Sequence, residues 1–311
     1  MISFGPVPSR RLGNSMGINN ILSKKMCSYS CVYCQVGLTQ KLSVTRGKFY
    51  EPGKIYAEVE KHLCKLASKP DYLTFVSNGE PTMDINLGKS IEKLKKFGIP
   101  VAVITNASLL SDQNVRNELS LADWISVKID TGSETIREKI NRPHPDLSFK
   151  RYTEGLLNFS SEYKGILVSE TMLVRGINDQ SNLLRETASL IKQINPKTAY
   201  LAVPTRPPAL STVKRPDEAT INEAFQTYTE TGLHTELLLG FEGINTGYTG
   251  NAIDDIVNIC TVHPIREDTM TELLRKDHAD PITLDLLFHG KYIKRVRYNN
   301  NDFYIRNFAE Q

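Results

Sequence analysis

The amino-acid sequence predicts an α/β chain built on a parallel sheet, followed by a smaller unit of helices and a hairpin. Three observations carry this. Short β-rich runs alternate with stretches of helical spacing from residue 54 to 230. A Gly-rich stretch, GFEGINTGYTG over 240–250, interrupts that rhythm. Beyond it the alternation is gone, and three helical patterns lead into a hairpin signal.

Taken in order, the first forty residues read as an irregular lead-in, because Pro6, Pro8, Gly13, Gly17 and Asn19-Asn20 break any long element. Residues 54–67 have helical spacing, with Ile55, Val59, His62, Leu63 and Leu66 in phase. Tyr72 to Val76 reads as a strand and 86–97 as a helix. Val101 to Thr105 and 111–119 repeat the pair, and Trp124 to Ile129 is the next strand. A helix over 148–160, a strand Ile166 to Val174, a helix over 180–194, a strand Ala199 to Val203 and a helix near 217–230 complete the series. Five strands are clear, and there is room for a sixth. Helical crossovers make such strands parallel, with right-handed connections. The pattern suits a full barrel, a partial barrel or an open doubly wound sheet; in each, the site belongs at the strands' C-terminal ends.

The Gly-rich stretch divides the chain into 1–240 and 251–311, with 241–250 as linker. Helical spacing over 252–259, 267–276 and 281–289 precedes Tyr292–Tyr298 and Phe303–Arg306, which flank the turn Asn299–Asp302. Three helices and a hairpin is the order of a winged helix. The wing carries Lys291, Lys294, Arg295, Arg297 and Arg306, but the third helix holds Asp285 and no Lys or Arg. Base reading by that helix is therefore not expected, and a protein-docking or capping role is favoured over RNA.

Of the 311 residues, 40% are hydrophobic and 23% charged, enough for a large soluble core. The net charge of +3 is too small to mark a nucleic-acid binder. The stretch to Gly17 lacks the apolar run of a secretory signal, and no apolar run reaches membrane-spanning length, so a cytoplasmic location is expected.

The chemistry concentrates in three of five cysteines: Cys27, Cys31 and Cys34 fall within eight residues. An odd count with such clustering fits a metal site in a reducing compartment, not a disulfide framework. Structural zinc usually takes four ligands, whereas a cubane held by three thiolates leaves one iron open to a ligand. A zinc site completed by a histidine or aspartate is the plainer alternative. Cys64 and Cys260 sit in helical patterns as core thiols. Lys24 and Lys25 precede the loop and would offset a cluster's negative charge.

The spacing Cys27-x3-Cys31-x2-Cys34, with Tyr33 before the last cysteine, resembles the signature of the radical S-adenosylmethionine (SAM) superfamily. Gly5-Pro-Val-Pro-Ser-Arg-Arg-Leu-Gly13 and Cys34-Gln-Val-Gly37 resemble its branch of archaeal wyosine-synthesis, tRNA-modifying enzymes. The similarity runs over 1–240, and the C-terminal segment resembles the winged-helix tail of some members. The resemblance implies a partial (β/α)6 barrel, a [4Fe–4S] cluster on the three cysteines and SAM on its open iron. It also implies an external one-electron donor and a 5′-deoxyadenosyl radical that takes hydrogen from a substrate, RNA or a protein or peptide.

Supporting residues follow. Tyr33 is placed to face an adenine. Ser77-Asn-Gly-Glu-Pro81 is similar to the family's glycine–glutamate–proline motif, with Asn78 where the family often has Gly. It makes Gly79 and Glu80 candidates for the methionine ammonium, and Gly79 lets backbone approach a ligand. Asn106 ends the second strand and is either a ligand contact or a turn residue. Alternation puts Ser126, Lys128 and Asp130 on one face, and charge on an interior strand demands a polar cavity. Lys128 and Asp130 are thus candidate ligands, Asp130 for ribose hydroxyls. On the next strand one of Glu170 and Thr171 must point inward, and Thr171 or Ser169 is the candidate for the cofactor's carboxylate. Arg142, His144 and Arg206 are rim candidates. No catalytic side chain is assigned. The rival reading is a metal- or redox-sensing winged-helix regulator, which would want a basic recognition helix.

Overall fold

A computed structural model describes residues 2–21 and 24–307. Strands β1 (Ser3–Ser9) and β2 (Gly13–Ile18) form an antiparallel hairpin, and two-residue strands β3 (Met26–Cys27) and β4 (Lys41–Leu42) pair across the ends of the cysteine loop. From α1 (Pro52–Leu63) onward strands and helices alternate. They run β5 (Tyr72–Phe75), α2 (Leu87–Leu94), β6 (Val101–Thr105), α3 (Gln113–Leu119), β7 (Trp124–Lys128), α4 (Glu134–Ile140) and α5 (Phe149–Glu162). Then come β8 (Ile166–Met172), α6 (Ser181–Ile194), β9 (Thr198–Ala202), α7 (Glu218–Glu230) and β10 (Thr235–Leu238). The sheet order is β1-β2-β5-β6-β7-β8-β9-β10, with every pair from β2 to β10 parallel. The sheet curls into a half-barrel and leaves β1 and β10 as opposite edges.

Three strands of the main sheet, β1, β2 and β10, escape the sequence pattern. β2 reads GNSMGI, and its glycines, Asn14 and Ser15 look like loop residues; yet Met16 and Ile18 are fully buried and the strand pairs with β5. The expected irregular lead-in is therefore a hairpin. β10 is short and runs into the Gly-rich stretch, which hides it. Helix α4 also lies in a stretch left without an element.

Strand alternation sorts the core. Leu73, Phe75, Val101, Val103, Ile125, Val127 and Leu167 face the helices, while Ala102, Trp124, Val168, Tyr200 and Ala202 face the concave side. Leu12, at the β1–β2 tip, joins this concave cluster, so the hairpin turns in across the barrel. Helices α5 and α7 begin where Ser148 and Asp217 accept the N–H groups of Arg151 and Thr220.

The C-terminal unit runs α8 (Ala252–Val262), β11 (Ile265–Arg266), α9 (Glu267–Lys276), α10 (Ile282–His289), β12 (Ile293–Tyr298) and β13 (Asn301–Arg306), with sheet order β11-β13-β12. Its core of Ile256, Ile259, Met270, Leu273, Leu287 and Tyr304 includes Phe4 from β1. Gly17 makes room for that ring, since a Cβ there would stand 2.0 Å from Phe4 Cζ. The stretch before α8 is packed as well: the Gly247 N–H bonds the Pro6 carbonyl, and Thr246 is buried. No described helix is long and apolar enough to cross a membrane.

Candidate active site at the cysteine loop

The cysteine loop is held at both ends and along its length. Lys41 and Ser43 donate backbone N–H groups to the carbonyls of Lys25 and Cys27, at 3.0 and 3.1 Å. Within the loop, the N–H groups of Cys34 and Gly37 bond the carbonyls of Cys31 and Cys34. Ser30 and Val32 donate to Asn141 and Ile140, at the end of α4. The loop therefore lies over the C-terminal ends of the parallel strands.

Each thiol faces a nitrogen donor. Asn106 Nδ2 is 3.5 Å from Cys27 Sγ, Asn141 Nδ2 is 3.5 Å from Cys31 Sγ and Lys25 Nζ is 3.1 Å from Cys34 Sγ. Burial, and then Asp130, push the Cys31 thiol up to about 12; burial also pushes Cys27 up. Burial alone would lower the Lys25 pKa, but Cys34, Cys27 and Cys31 outweigh it and raise it. Partly buried thiols with a cation and amide donors aimed at them suit a soft cationic centre, which supplies the charge that deprotonation needs. Among the described residues, no three His, Cys, Asp or Glu side chains gather as a single metal ion requires.

The Ser77–Pro81 turn is locked beneath this loop. Glu80 N–H bonds the Met26 carbonyl at 3.1 Å, and a Cβ on Gly79 would lie 1.9 Å from that oxygen. The buried Glu80 carboxylate accepts from the Thr82 hydroxyl (2.7 Å), the Thr105 hydroxyl (2.6 Å) and the Asn106 N–H (2.8 Å). Its side chain thus ties the turn to β6, which leaves the backbone as the part able to meet a ligand. Asn78 is fully buried, and neither carboxamide atom has a partner among the described residues. An unpaired buried amide costs roughly 1–3 kcal/mol, so this turn holds hydrogen-bonding capacity for a ligand.

Asp130 sits where alternation puts it, past the end of β7, but it does not stand free. Its carboxylate accepts from Tyr33 Oη, from Asn141 Nδ2 at 2.6 Å and from Met172 N–H at 2.8 Å. It is a brace for the loop, and three protein donors take up most of its acceptor capacity. Tyr33 lines the cavity, with Lys128 Nζ 5.3 Å from its ring centroid. Thr171 is turned the other way. Its hydroxyl donates to the Ile129 carbonyl at 2.7 Å and lies 3.1 Å from Tyr228 on α7, so it faces the helical layer, and so does buried Ser169. Glu170 is the residue that points inward, where Lys128 and Arg11 share its two oxygens.

The concave side encloses a cavity of about 260 Å³. Tyr33, Cys34 and Gln35 form one wall; Arg10, Arg11, Lys128, Glu170, Arg206 and Glu242 line much of the rest. The end of α8 roofs it: Val262 lines the cavity and its carbonyl accepts from Gln35 Nε2 at 2.9 Å. Arg206 joins these parts, donating to Gln35 (3.0 Å) and Glu242 (2.6 Å) against His263 Nε2 at 2.7 Å. Burial, then Arg206, hold His263 well below its ordinary pKa, so it is neutral. His144 is a loop residue whose N–H bonds the Ser28 carbonyl, and Arg142 is exposed.

Sequence reasoning missed Arg10, Arg11, Gln35, Asn141 and Glu242 as site residues. Local hints existed for the paired Arg10-Arg11 beside a tight turn and for Gln35, which follows Cys34; Asn141 and Glu242 come from distant loops and carry no local signal.

Residues 22–189 match the profile described as Radical SAM superfamily. The UPF0026 protein of Methanocaldococcus jannaschii is 44% identical over 314 residues, covering 100% of this chain and 97% of that one. Among solved structures, a radical SAM methyltransferase from Sphaerobacter thermophilus superposes with a TM-score of 0.54 at 15% identity, over 72% of this chain and 66% of that one. That likeness concerns the fold. A structure of TYW1 with a lysine-pyruvate adduct bound is similar over 94% of this chain and 80% of that one, at 15% identity and a TM-score of 0.43.

Proposed function

This chain belongs to the radical SAM superfamily, and from that premise we propose that Cys27, Cys31 and Cys34 hold its [4Fe–4S] cluster and that SAM binds across the adjoining cavity. It is a radical SAM enzyme, and these two cofactors come with the family. The observation that carries the site assignment is the set of three partly buried thiols, each met by its own nitrogen donor. Bound together, the cluster and SAM supply a 5′-deoxyadenosyl radical able to take a hydrogen atom from a substrate.

The chain's own residues position and shield that chemistry. Lys25, Asn106 and Asn141 stabilise negative charge on the sulfurs, one of the levers that set a cluster's potential. Gly79 brings the backbone of the Ser77–Glu80 turn against β3, where its carbonyls are available to an ammonium group. Tyr33, braced by Asp130, offers its ring as a wall of the cavity. Glu170 holds Lys128 and Arg11 in place on the floor. Substrate enters from the side of Arg10 and Arg206, under the α8 roof, which keeps water from a reactive intermediate.

The C-terminal unit is read as a winged-helix-like cap. Its helix α10 bears exposed Ile282 and Leu286 in place of basic residues, which gives the regulator reading no support.

The test is anaerobic reconstitution with iron and sulfide, reduction with dithionite, and chromatography for 5′-deoxyadenosine after SAM is added. Formation in the parent protein and its loss in Cys31→Ala, along with most of the bound iron, is the expected result. A fully loaded protein that never forms the nucleoside, even with candidate substrates, would sink the proposal.

A further inference from the structure

The two sides of the cavity differ in charge. Arg10, Arg11, Lys128 and Arg206 line it against only Glu170 and Glu242, an excess of two positive charges. Glu170 is taken up by Arg11 and Lys128. Glu242 is shared by Arg206 at 2.6 Å and Arg10 at 3.5 Å. Arg10 has no shorter ion pair among the described residues, so most of its five N–H donors remain available. The neighbouring imidazole of His263, 2.7 Å from Arg206, has no negative charge to offer in either protonation state. Burial presses Arg11 down to about 10 and lowers Arg206 as well, which marks both guanidinium groups as poorly solvated.

Cations gathered in a low-dielectric cavity are costly until an anion joins them. The cofactors do not fill that role. The thiolate-bound cluster is anionic and SAM carries net positive charge, so together they leave the excess in place. Lys25, which faces Cys34, is outside this count.

We propose that Arg10 and Arg206, which share Glu242, bind the phosphate of a small phosphate-monoester substrate, with Arg11 beside them on Glu170, and hold it at the cavity mouth beneath α8. Guanidinium groups recognise phosphate through paired N–H donors, and the doubly charged monoester matches the excess. The end of α8, where Val262 lines the cavity and its carbonyl accepts from Gln35, covers the site and suits a small substrate over a polymer. The inference rests on the reading of this cavity as the radical active site, and it deepens that reading by naming the substrate's class.

The experiment titrates inorganic phosphate into the reconstituted holoenzyme by calorimetry, with ionic strength held constant by chloride. Phosphate is expected to bind, and Arg10→Gln and Arg206→Gln each to weaken it at least tenfold. Glu242→Gln, which removes the competing carboxylate, is expected to tighten it several-fold, a gain that misfolding cannot produce. Dimethyl phosphate, a singly charged diester, should bind more weakly than phosphate, and SAM should still bind when phosphate is saturating. The proposal is overturned by phosphate indistinguishable from chloride, by unchanged affinity in both arginine variants, by weaker binding in Glu242→Gln, by equal binding of the diester, or by competition with SAM. Formation of 5′-deoxyadenosine is read separately. Its absence alongside intact phosphate binding would count against the radical-enzyme reading and not against the phosphate site.

Discussion

On the thiol side of the cavity the carboxylates and sulfurs are answered from within the protein, and Asn78 is the amide left unpaired. Asp130 accepts three bonds, Glu80 accepts from Thr82, Thr105 and Asn106, and each sulfur has a nitrogen donor. On the arginine side the groups outnumber their partners, and Glu242 serves two guanidinium groups at once. Saturated hydrogen bonding makes a rigid holder, since every bond braces another. Unmatched charge makes a recognition surface, because its stabilisation waits for a ligand. The difference teaches where to look for the cofactor and where for the substrate.

The sharpest way to break the holder is Gly79→Ala. Its Cβ would fall 1.9 Å from the Met26 carbonyl oxygen, with backbone as the obstacle. The loop must shift, at more than about 3 kcal/mol, so iron per chain after reconstitution should fall severalfold or more. Iron content equal to the parent's would show that the turn does not set the loop. Asp130→Ala comes next. It strands Tyr33 Oη, Asn141 Nδ2 and the Met172 N–H, and should cost about 3 kcal/mol in urea unfolding while lowering cluster retention. An unchanged midpoint would remove Asp130 from the holder.

The roof on the arginine side carries a pH signature. Burial raises the Asp255 carboxyl to about 6 from 3.8, against hydrogen bonds from Thr249. A folded-state pKa above the unfolded one contributes stability that is fully present below 3.8 and is lost as pH rises through 6. Stability measured between those limits should therefore decline with rising pH, by on the order of 2 kcal/mol, and Asp255→Asn should flatten that slope. A slope that persists in the variant would assign it to other carboxyls. Asp84, also raised to about 6 by burial, is the first to test.

The smallest effect belongs to Thr171→Val. The hydroxyl faces Ile129 and Tyr228, so its loss should cost about 1 kcal/mol and leave the SAM dissociation constant unchanged. A weakened SAM affinity would put Thr171 back in the cavity.

Much of this was legible in the residues. Strands β5 to β9 stand out because buried parallel strands read as short apolar runs, and their order follows from the helices between them. Alternation correctly turned Ser126 and Lys128 inward, with the charge of Lys128 demanding the cavity it lines. The same rule could not choose between Glu170 and Thr171, because both are polar and the strand's phase depends on its neighbours. β2 was hidden because its glycines serve packing needs, Gly17 yielding to Phe4, that only the folded chain reveals. Asn141 and Glu242 reach the site from loops far along the chain, and nothing local marks either.

By itself the sequence showed the cluster of three thiols and the β/α rhythm. Both are local: ligand spacing is fixed by a few residues of loop, and periodicity by backbone geometry. Only the tertiary structure decided that the β1–β2 hairpin folds in across the barrel, that Asp130 braces the loop, and that two arginines from distant segments meet around one glutamate. Those outcomes depend on which surfaces pack together, and that is a property of the whole chain's burial.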